Sequence, residues 1–341
     1  MSLNKEDQPR LFLITTIYGH RDRLERTLQS VLEQTSADFV HYIYDDAGPE
    51  NCDDVIETYR KKALERHTPF NVIYEKGQAN LGVDGAHQRA FSLCTCPYFM
   101  WLDVGDYLDP AFIANALKEV QKHPECSFFH FNDRSYDETS GVWKKPTSAQ
   151  FKMKELARED QLPNFLGNAN IYFHHFIVKF QDYKSINPSL FIQDGRKNGG
   201  LWYDAQIVFE MVCANQKMHF VKKPLSFVFQ DPHSVATFGK YDEALKRENE
   251  MALLRQLKCP SERIQFIEDY QRFLDAALSV KKLCLSGQKK EAVSVYQGCR
   301  RFMKDHHLPS HYFVYRDRAH FFFRCAKNPL LLKVYRKLKH C

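Results

Sequence analysis

The first 131 residues alternate between short apolar segments and longer segments of helical periodicity, and this alternation restricts the fold more than any other feature. The predicted strands cover residues 11–18, 39–46, 70–76, 98–103 and 125–131. A helical segment separates each strand from the next, and the first of these segments has Leu24, Leu28 and Val31 on one face. This pattern predicts an α/β fold with a mainly parallel, mixed sheet that has helices on both faces.

Acidic residues lie at the ends of two of the predicted strands. Asp45 and Asp46 end the second strand, Asp103 ends the fourth, and Asp106 follows shortly after it. In open α/β sheets, ligands bind beyond the carboxyl ends of the strands. The sequence therefore predicts a ligand site at that edge of the sheet.

The composition of the 341-residue chain is that of a globular protein. Apolar residues make up 44% and charged residues 26%, which excludes collagens, low-complexity disordered chains and disulfide miniproteins. No segment approaches the roughly 20 apolar residues that span a bilayer. The opening MSLNKEDQPR lacks the apolar stretch of a secretory signal, and the ten cysteines form no CxxC pair. We expect a cytoplasmic protein with reduced thiols.

The carboxyl-terminal segment, residues 300–341, is basic and aromatic. It holds eleven Lys and Arg against two acids, a balance of 11 − 2 = +9, so the preceding residues carry 6 − 9 = −3. Two interpretations remain open: a helical cap whose cations lie along its surface, or a segment that lies on anionic lipids of the inner leaflet. No nucleic-acid partner is expected, because no recognised module accompanies the charge.

Six motifs follow one another between residues 10 and 237. They are TTIYG at 15–19, RDRLERTLQSVLEQT at 21–35, YDDAG at 44–48, NLG with GAHQ at 80–88, LDVGDYLDP at 102–110 and WYD at 202–204. In this order they resemble the family 2 glycosyltransferases, enzymes of the GT-A fold that use nucleotide-diphospho sugars and invert the anomeric centre.

The resemblance implies a GT-A domain over residues 1–238, followed by a helical region over 239–341 that ends in the basic aromatic segment. Within the first domain, residues 10–131 would bind the nucleotide-sugar and residues 132–238 the acceptor. The second part includes a polar, turn-rich stretch over 132–200, and long loops of this kind usually bind or cover a substrate.

The resemblance also implies which residues bind the nucleotide-sugar. Asp46 would accept the imide N–H of uracil, and Thr16 and Tyr18 would line the base pocket. The remaining donor contacts would come from Asn80, His87 and Asp103. An alternative for Asp45 and Asp46 is a turn-capping role, an alternative for Asn80 is a simple turn, and His87 replaces the arginine usual at its position.

A Mg²⁺ or Mn²⁺ ion is the cofactor that the resemblance implies, held by Asp103 and Asp106 with His233 as a further ligand. The family's usual third-position acid is replaced by Gly105. Cations and helix N-termini could instead stabilise the leaving group, or the enzyme could be impaired. Taken alone, His233 is more often an ordinary histidine beside such a site than a metal ligand.

Asp204 stands where the family carries its general base, and Trp202 would stack on the acceptor sugar. From position alone, Asp204 could also be an acid that stabilises a helix start, and Trp202 could pack in the core. We therefore expect an inverting hexosyl- or N-acetylhexosaminyltransferase of surface polysaccharide synthesis. It would use a UDP-sugar donor and a glycan or lipid-linked glycan acceptor. The alternative is a non-catalytic nucleotide-sugar or glycan-binding protein on the same fold.

Overall fold

A computed structural model describes residues 9–66, 70–144, 175–190, 192, 203–230, 243–257 and 259–306. Trp202, His233, the predicted boundary at residue 238 and residues 307–341 of the basic aromatic segment lie outside these ranges.

The described strands belong to one mixed sheet. They are β1 (Leu11–Ile17), β2 (Phe39–Asp45), β3 (Val72–Lys76), β4 (Tyr98–Trp101), β5 (Tyr107–Leu108), β6 (Phe128–Asp137), β7 (Val142–Trp143), β8 (Phe176–Lys179) and β9 (Met218–Gln230). Their order across the sheet is β3-β2-β1-β4-β8-β6-β9-β5, and β7 pairs with β6.

The described helices lie between these strands and after β9. They are α1 (Arg21–Leu32), α2 (Asp53–Glu65), α3 (Gly82–Ser92), α4 (Phe112–Lys122), α5 (Phe180–Ile186), α6 (Tyr203–Cys213), α7 (Glu243–Gln256), α8 (Ser261–Leu285) and α9 (Lys289–Asp305). None of the described helices is long and apolar enough to cross a membrane.

The centre of the sheet is parallel, as the sequence predicts. Strand β1 pairs in parallel with β2 and β4, and β2 pairs in parallel with β3. Strand β8 is the antiparallel member, since it runs opposite to both β4 and β6. It lies in the stretch over 132–200 whose sequence is turn-rich. The strand was missed because four residues buried between two other strands are too few to show a detectable period.

Helices pack on both faces of the sheet, which confirms the predicted layers. On one face, Leu11 and Leu13 belong to an apolar core with α1 and α4, and Ile17 belongs to a core with α1 and α2. On the other face, the ring of Phe99 contacts Phe91 of α3. Phe99 also contacts Phe180 and Tyr183 of α5. Alternate residues of β1 and β4 therefore serve opposite cores, as a strand period of two requires.

The described residues divide into two compact units, 9–257 and 259–306. The second unit is a helical hairpin of α8 and α9. Tyr270, Phe273 and Ala277 pack with Cys299 and Met303, whereas Val280 and Cys284 pack with Ala292 and Tyr296. Because early α8 meets late α9 and late α8 meets early α9, the two helices run antiparallel.

Candidate active site

The carboxyl ends of β1, β2 and β4 meet at one edge of the sheet. Ile17 pairs with Asp45, and the amide of Asp46 donates to the Ile17 carbonyl at 2.8 Å. Beyond β4, the Leu102 amide donates to the Ile14 carbonyl at 2.7 Å. The segments that carry Thr16, Asp46 and Asp103 therefore leave neighbouring strands at the same edge, as the sequence predicts for parallel strands.

Asp46 caps the start of α3. Its two carboxylate oxygens accept the amides of Leu81 at 2.6 Å and Gly82 at 2.9 Å, and the side chain is buried. These two amides precede or open the helix and have no partner within it. Asp46 therefore fixes the position at which α3 begins.

Asp45 is engaged differently from Asp46. One of its oxygens accepts the Gly48 amide at 3.2 Å, and the other accepts the Tyr74 hydroxyl at 2.9 Å. Ala47, between the two acids and Gly48, has a left-handed φ of 55°. Asp45 therefore closes the turn after β2, which is the alternative left open for this residue.

The other predicted nucleotide contacts lie close to this turn. Thr16 is half-buried beside Tyr44 of β2, and Tyr18 is 52% exposed. A side-chain carbon at Gly48 would come within 2.5 Å of the Gly19 amide nitrogen, so the two turns are in tight contact. The Asn80 side-chain oxygen accepts the Gly82 amide at 2.7 Å and thereby shapes the entry to α3.

Helix α3 joins this region to the start of α6. Asp84 accepts the amide of Tyr203, the first residue of α6, at 3.1 Å. One turn later, the His87 ring stacks on the Tyr203 ring with centroids 3.5 Å apart and planes 15° apart. The Nδ1 atom of His87 lies 2.6 Å from the Val83 carbonyl. Asp84 and His87 therefore hold the beginning of α6 from one face of α3.

Tyr203 also reaches β4. Its hydroxyl donates to Oδ1 of Asp103 at 2.7 Å, and its ring meets Trp101 edge-on at 5.4 Å. Burial, together with the charge of Asp103, raises the pKa of Tyr203 well above its ordinary value, so the phenol keeps its proton and remains a donor. Asp204 follows directly, is half-buried, and acts on Tyr203 through its charge.

One continuous set of contacts thus connects the three predicted aspartates. Asp46 accepts an amide at the start of α3, and His87 of α3 stacks on Tyr203. The Tyr203 hydroxyl donates to Asp103, and Asp204 is the next residue in the chain. The sequence does not single out Asp84, and it includes Tyr203 only within the WYD motif. The position of Asp84, three residues before His87, is the signal that could have paired the two on one helical face.

The turn from Asp103 to Asp106 is built around Gly105. This glycine has a φ of +98°, a conformation that side chains disfavour. Thr27 of α1 secures the turn, because its Oγ1 accepts the Gly105 amide at 2.8 Å and donates to the Asp106 carbonyl at 3.1 Å. An acid at position 105 would therefore strain the backbone, which explains the glycine in structural terms.

Asp106 ends that turn, and both of its carboxylate oxygens contact other described residues. Oδ1 accepts the Phe229 amide at 3.1 Å, and Oδ2 lies 3.3 Å from Nε2 of the buried His175. Burial lowers the pKa of His175, but the carboxylates of Asp106, Asp133 and Asp103 outweigh it and raise the pKa. Asp106 thus connects the turn to β9 and to the start of β8.

At this edge of the sheet, the carboxylate of Asp103 is suited to bind a divalent cation. Oδ2 of Asp103 accepts no hydrogen bond among the described residues, and the side chain is partly exposed. Mg²⁺ and similar ions are commonly held by one or two carboxylates together with substrate phosphates and water. Asp103 has the oxygen chemistry for this, whereas both oxygens of Asp106 are already in use.

Two arginines of α1 lie beside the same turn. A side-chain carbon at Gly105 would touch the Arg23 side chain at 3.4 Å, and Arg26 donates to the Gly105 carbonyl at 3.2 Å. Both guanidinium groups pair with Glu138, at 3.6 Å and 3.2 Å. Positive charge is therefore present near Asp103, as the cation-based alternative for the leaving group requires.

The pH dependence of stability offers a test of the His87 environment. Burial lowers the pKa of His87 to about 4, so the folded protein holds this ring neutral. Because the unfolded chain binds the proton more readily, this stabilising contribution is present above about pH 6.5 and is lost as the pH falls to about 4. We expect wild type to lose about 3 kcal/mol relative to His87→Phe over that range.

Urea unfolding of both proteins between pH 4 and 8 measures this difference. Phenylalanine keeps the stacked ring but cannot titrate, and any constant difference between the proteins is visible at pH 8. Parallel stability curves would show that His87 is not a buried neutral group.

Sequence comparison matches this chain to a known protein family. A family model described as "Glycosyl transferase family 2" matches residues 12–186. An uncharacterized glycosyltransferase of Nostoc sp. is 27% identical over 137 residues, which are 38% of this chain and 41% of that protein. The chain spans about half the length of the curated relatives it matches.

Two solved structures share the fold at low sequence identity. S. aureus TarS 1–349 in complex with UDP has a TM-score of 0.58 and 12% identity, over 96% of this chain and 91% of that one. The mannosyltransferase PcManGT from Pyrobaculum calidifontis, in complex with GDP-Man and Mn²⁺, has a TM-score of 0.51 and 13% identity, over 94% and 86%. The predicted GT-A fold is thereby confirmed.

Proposed function

Since the chain belongs to glycosyl transferase family 2, we propose that it transfers a sugar from a UDP-sugar to a hydroxyl of a glycan or lipid-linked glycan, with inversion at the anomeric carbon. The observation that carries the proposal is the contact path from Asp46 through α3 and Tyr203 to Asp103 and Asp204. It supports a donor site and a proton acceptor on one rigid framework.

The nucleotide is proposed to bind at the turn after β2. Asp46, which accepts the Leu81 and Gly82 amides there, would also accept the uracil imide N–H in a charge-assisted hydrogen bond. Thr16 and the exposed Tyr18 ring stand beside this turn and would contact the base. The likeness to S. aureus TarS, whose structure contains UDP, supports uridine as the nucleoside.

Asp103 is the residue proposed to hold a divalent cation. A bound Mg²⁺ or Mn²⁺ would neutralise the negative charge that develops on the diphosphate leaving group. Mn²⁺ in the structure of PcManGT supports this assignment, and so does Oδ2 of Asp103, which accepts no hydrogen bond among the described residues. Tyr203 would keep the Asp103 carboxylate oriented, and Arg23 and Arg26 would add positive charge beside it.

Asp204 is proposed to take the proton of the acceptor hydroxyl. Its carboxylate stands in the first turn of α6, whose start is fixed by Asp84 and by the buried ring of Tyr203. A base held in this way needs no reorganisation when the hydroxyl approaches. Because inversion requires attack opposite the leaving group, the acceptor would enter from the side of α6.

A second candidate function is binding without catalysis, on the same fold. The observation in its favour is that Gly105 replaces an acid while Asp106 is engaged by Phe229 and His175. A role in surface polysaccharide synthesis, a cytoplasmic location and contact with the inner membrane face through residues 300–341 all stay predictions from the sequence.

Calorimetric titration of UDP, GDP and a panel of UDP-sugars, with and without Mn²⁺, tests the proposal. We expect UDP to bind at least about tenfold more tightly than GDP, because guanine cannot present the uracil imide to Asp46 in the same pose. Slow release of UDP from one UDP-sugar would support the enzyme, and binding without turnover on any donor or acceptor would support the binding protein. Equal or tighter binding of GDP would overturn the uridine assignment.

A further inference from the structure

A cluster of two histidines and a glutamate lies at the amino-terminal edge of the sheet. Glu119 and His123 stand four residues apart at the end of α4, where the His123 amide donates to the Glu119 carbonyl at 3.1 Å. His219 is the second residue of β9, paired with Phe129 of β6. One ligand atom from each of the three side chains lies within 4.8 Å of the other two.

The ligand atoms of the cluster are spaced nearly as closely as those of a metal site. The rings of His123 and His219 are stacked, with centroids 3.8 Å apart and planes 21° apart. Nε2 of His219 lies 3.5 Å from Oε2 of Glu119. In a tetrahedral zinc site with bonds of about 2.0–2.1 Å, neighbouring ligand atoms are roughly 3.3 Å apart. Because imidazole binds a metal in the plane of its ring, the two stacked rings would have to rotate about their Cβ–Cγ bonds to converge with Glu119 on one ion.

Neighbouring side chains can orient two of the three groups. Oε1 of Glu125 lies 3.5 Å from Nδ1 of His123 and can orient that ring, as carboxylates beside metal-binding histidines do. Lys122 contacts the other oxygen of Glu119 at 2.6 Å and leaves Oε2 toward His219.

The cluster is separate from the proposed active site. Strand β9 runs parallel to β6, and β6 and β4 both run antiparallel to β8, so His219 lies where strands begin and Asp103 where they end. Three strand spacings, or about 14 Å, separate β4 from β9 across the sheet. The ligand chemistry differs too, since imidazole suits zinc-like ions whereas carboxylate with phosphate suits Mg²⁺ and Mn²⁺.

We propose that Glu119, His123 and His219 bind a divalent transition-metal ion of the zinc class, with water as the fourth ligand. The ion would connect the end of α4 to the start of β9 and thereby fasten two elements that are far apart in sequence. All three side chains are partly exposed, with 22%, 33% and 25% of their surface accessible, so an ion and a water molecule can enter from solvent.

The test is titration of the chelator-stripped full chain with Zn²⁺ by calorimetry and with Co²⁺ by visible absorption. We expect wild type to bind one Zn²⁺ at this site and to give the intense absorption of tetrahedral Co²⁺. His219→Gln and His123→Gln should each raise the dissociation constant at least about 100-fold and abolish that absorption. Glu119→Gln keeps the side-chain shape and should weaken binding in the same direction.

Two further variants make the result decisive. His20→Asn removes an exposed histidine elsewhere, at a left-handed position that asparagine tolerates, and should leave Zn²⁺ binding unchanged. Asp103→Ala should also leave it unchanged, which separates this site from the proposed active site. Zn²⁺ binding that is unaltered by both His219→Gln and His123→Gln would overturn the proposal, and so would loss of binding in Asp103→Ala alone.

Discussion

Asp204→Asn is expected to reduce the rate of sugar transfer by about 10²–10⁴-fold while the dissociation constant of the donor changes little. Asparagine has nearly the same shape as aspartate and can stay at the second position of α6, but it cannot accept the proton of the acceptor hydroxyl. The donor contacts proposed for Asp46 and Asp103 lie on other elements and should be unaffected.

Single-turnover transfer, measured alongside calorimetric binding of the UDP-sugar, separates the two quantities. Asp22→Asn is the matched control, because Asp22 is also the second residue of a helix, α1, and lies on the surface. The control should retain both transfer and binding. If Asp204→Asn transferred sugar at a rate within a few-fold of wild type, Asp204 would not be the base.

Asp103→Ala is expected to lower transfer by about 10²–10³-fold and to remove the stimulation of nucleotide binding by Mn²⁺. The reason is the loss of the carboxylate oxygen that the described contacts leave for a cation. The same substitution also removes the acceptor of the Tyr203 hydroxyl, and this could displace the start of α6.

Tyr203→Phe distinguishes the two roles of Asp103. It removes the hydroxyl but keeps the ring that stacks on His87, so it tests the hydrogen bond alone. A hydrogen bond to a carboxylate is worth about 1.5–3 kcal/mol, so we expect at most a roughly 10- to 100-fold loss of transfer, with Mn²⁺ stimulation intact. If Tyr203→Phe abolished Mn²⁺ stimulation as Asp103→Ala does, the role of Asp103 would be to hold α6 and not a cation.

The central strands and their order along the chain were accessible from the sequence. β1, β2 and β4 are apolar runs bounded by polar turns, and the parallel arrangement follows from the helices between them. The acids after β2 and β4 were predicted to share an edge for the same reason. Strand β8 was not predicted, because its four residues depend on pairing with β4 and β6 and carry no pattern of their own.

Residues of the candidate site could be selected from the sequence, but the contacts between them could not. The sequence indicated Asp46, Asp103 and Asp204, and the structure adds that Asp46 also caps α3 and that Tyr203 bridges to Asp103. Residues 103 and 203 are a hundred positions apart, and no local periodicity relates them. The replacement of an acid by Gly105 was visible in the sequence, but its cause, the left-handed turn held by Thr27, needs three-dimensional packing.

The contacts of helix α3 limit how the donor specificity of this protein could change. Asp46 anchors the start of the helix and one of its faces supports Tyr203, so the proposed donor recognition and proton transfer would both depend on this eleven-residue helix. A shift made to admit a different nucleotide would also displace the start of α6. Under the proposed function, a change of the donor nucleotide is therefore constrained by the geometry that proton transfer requires.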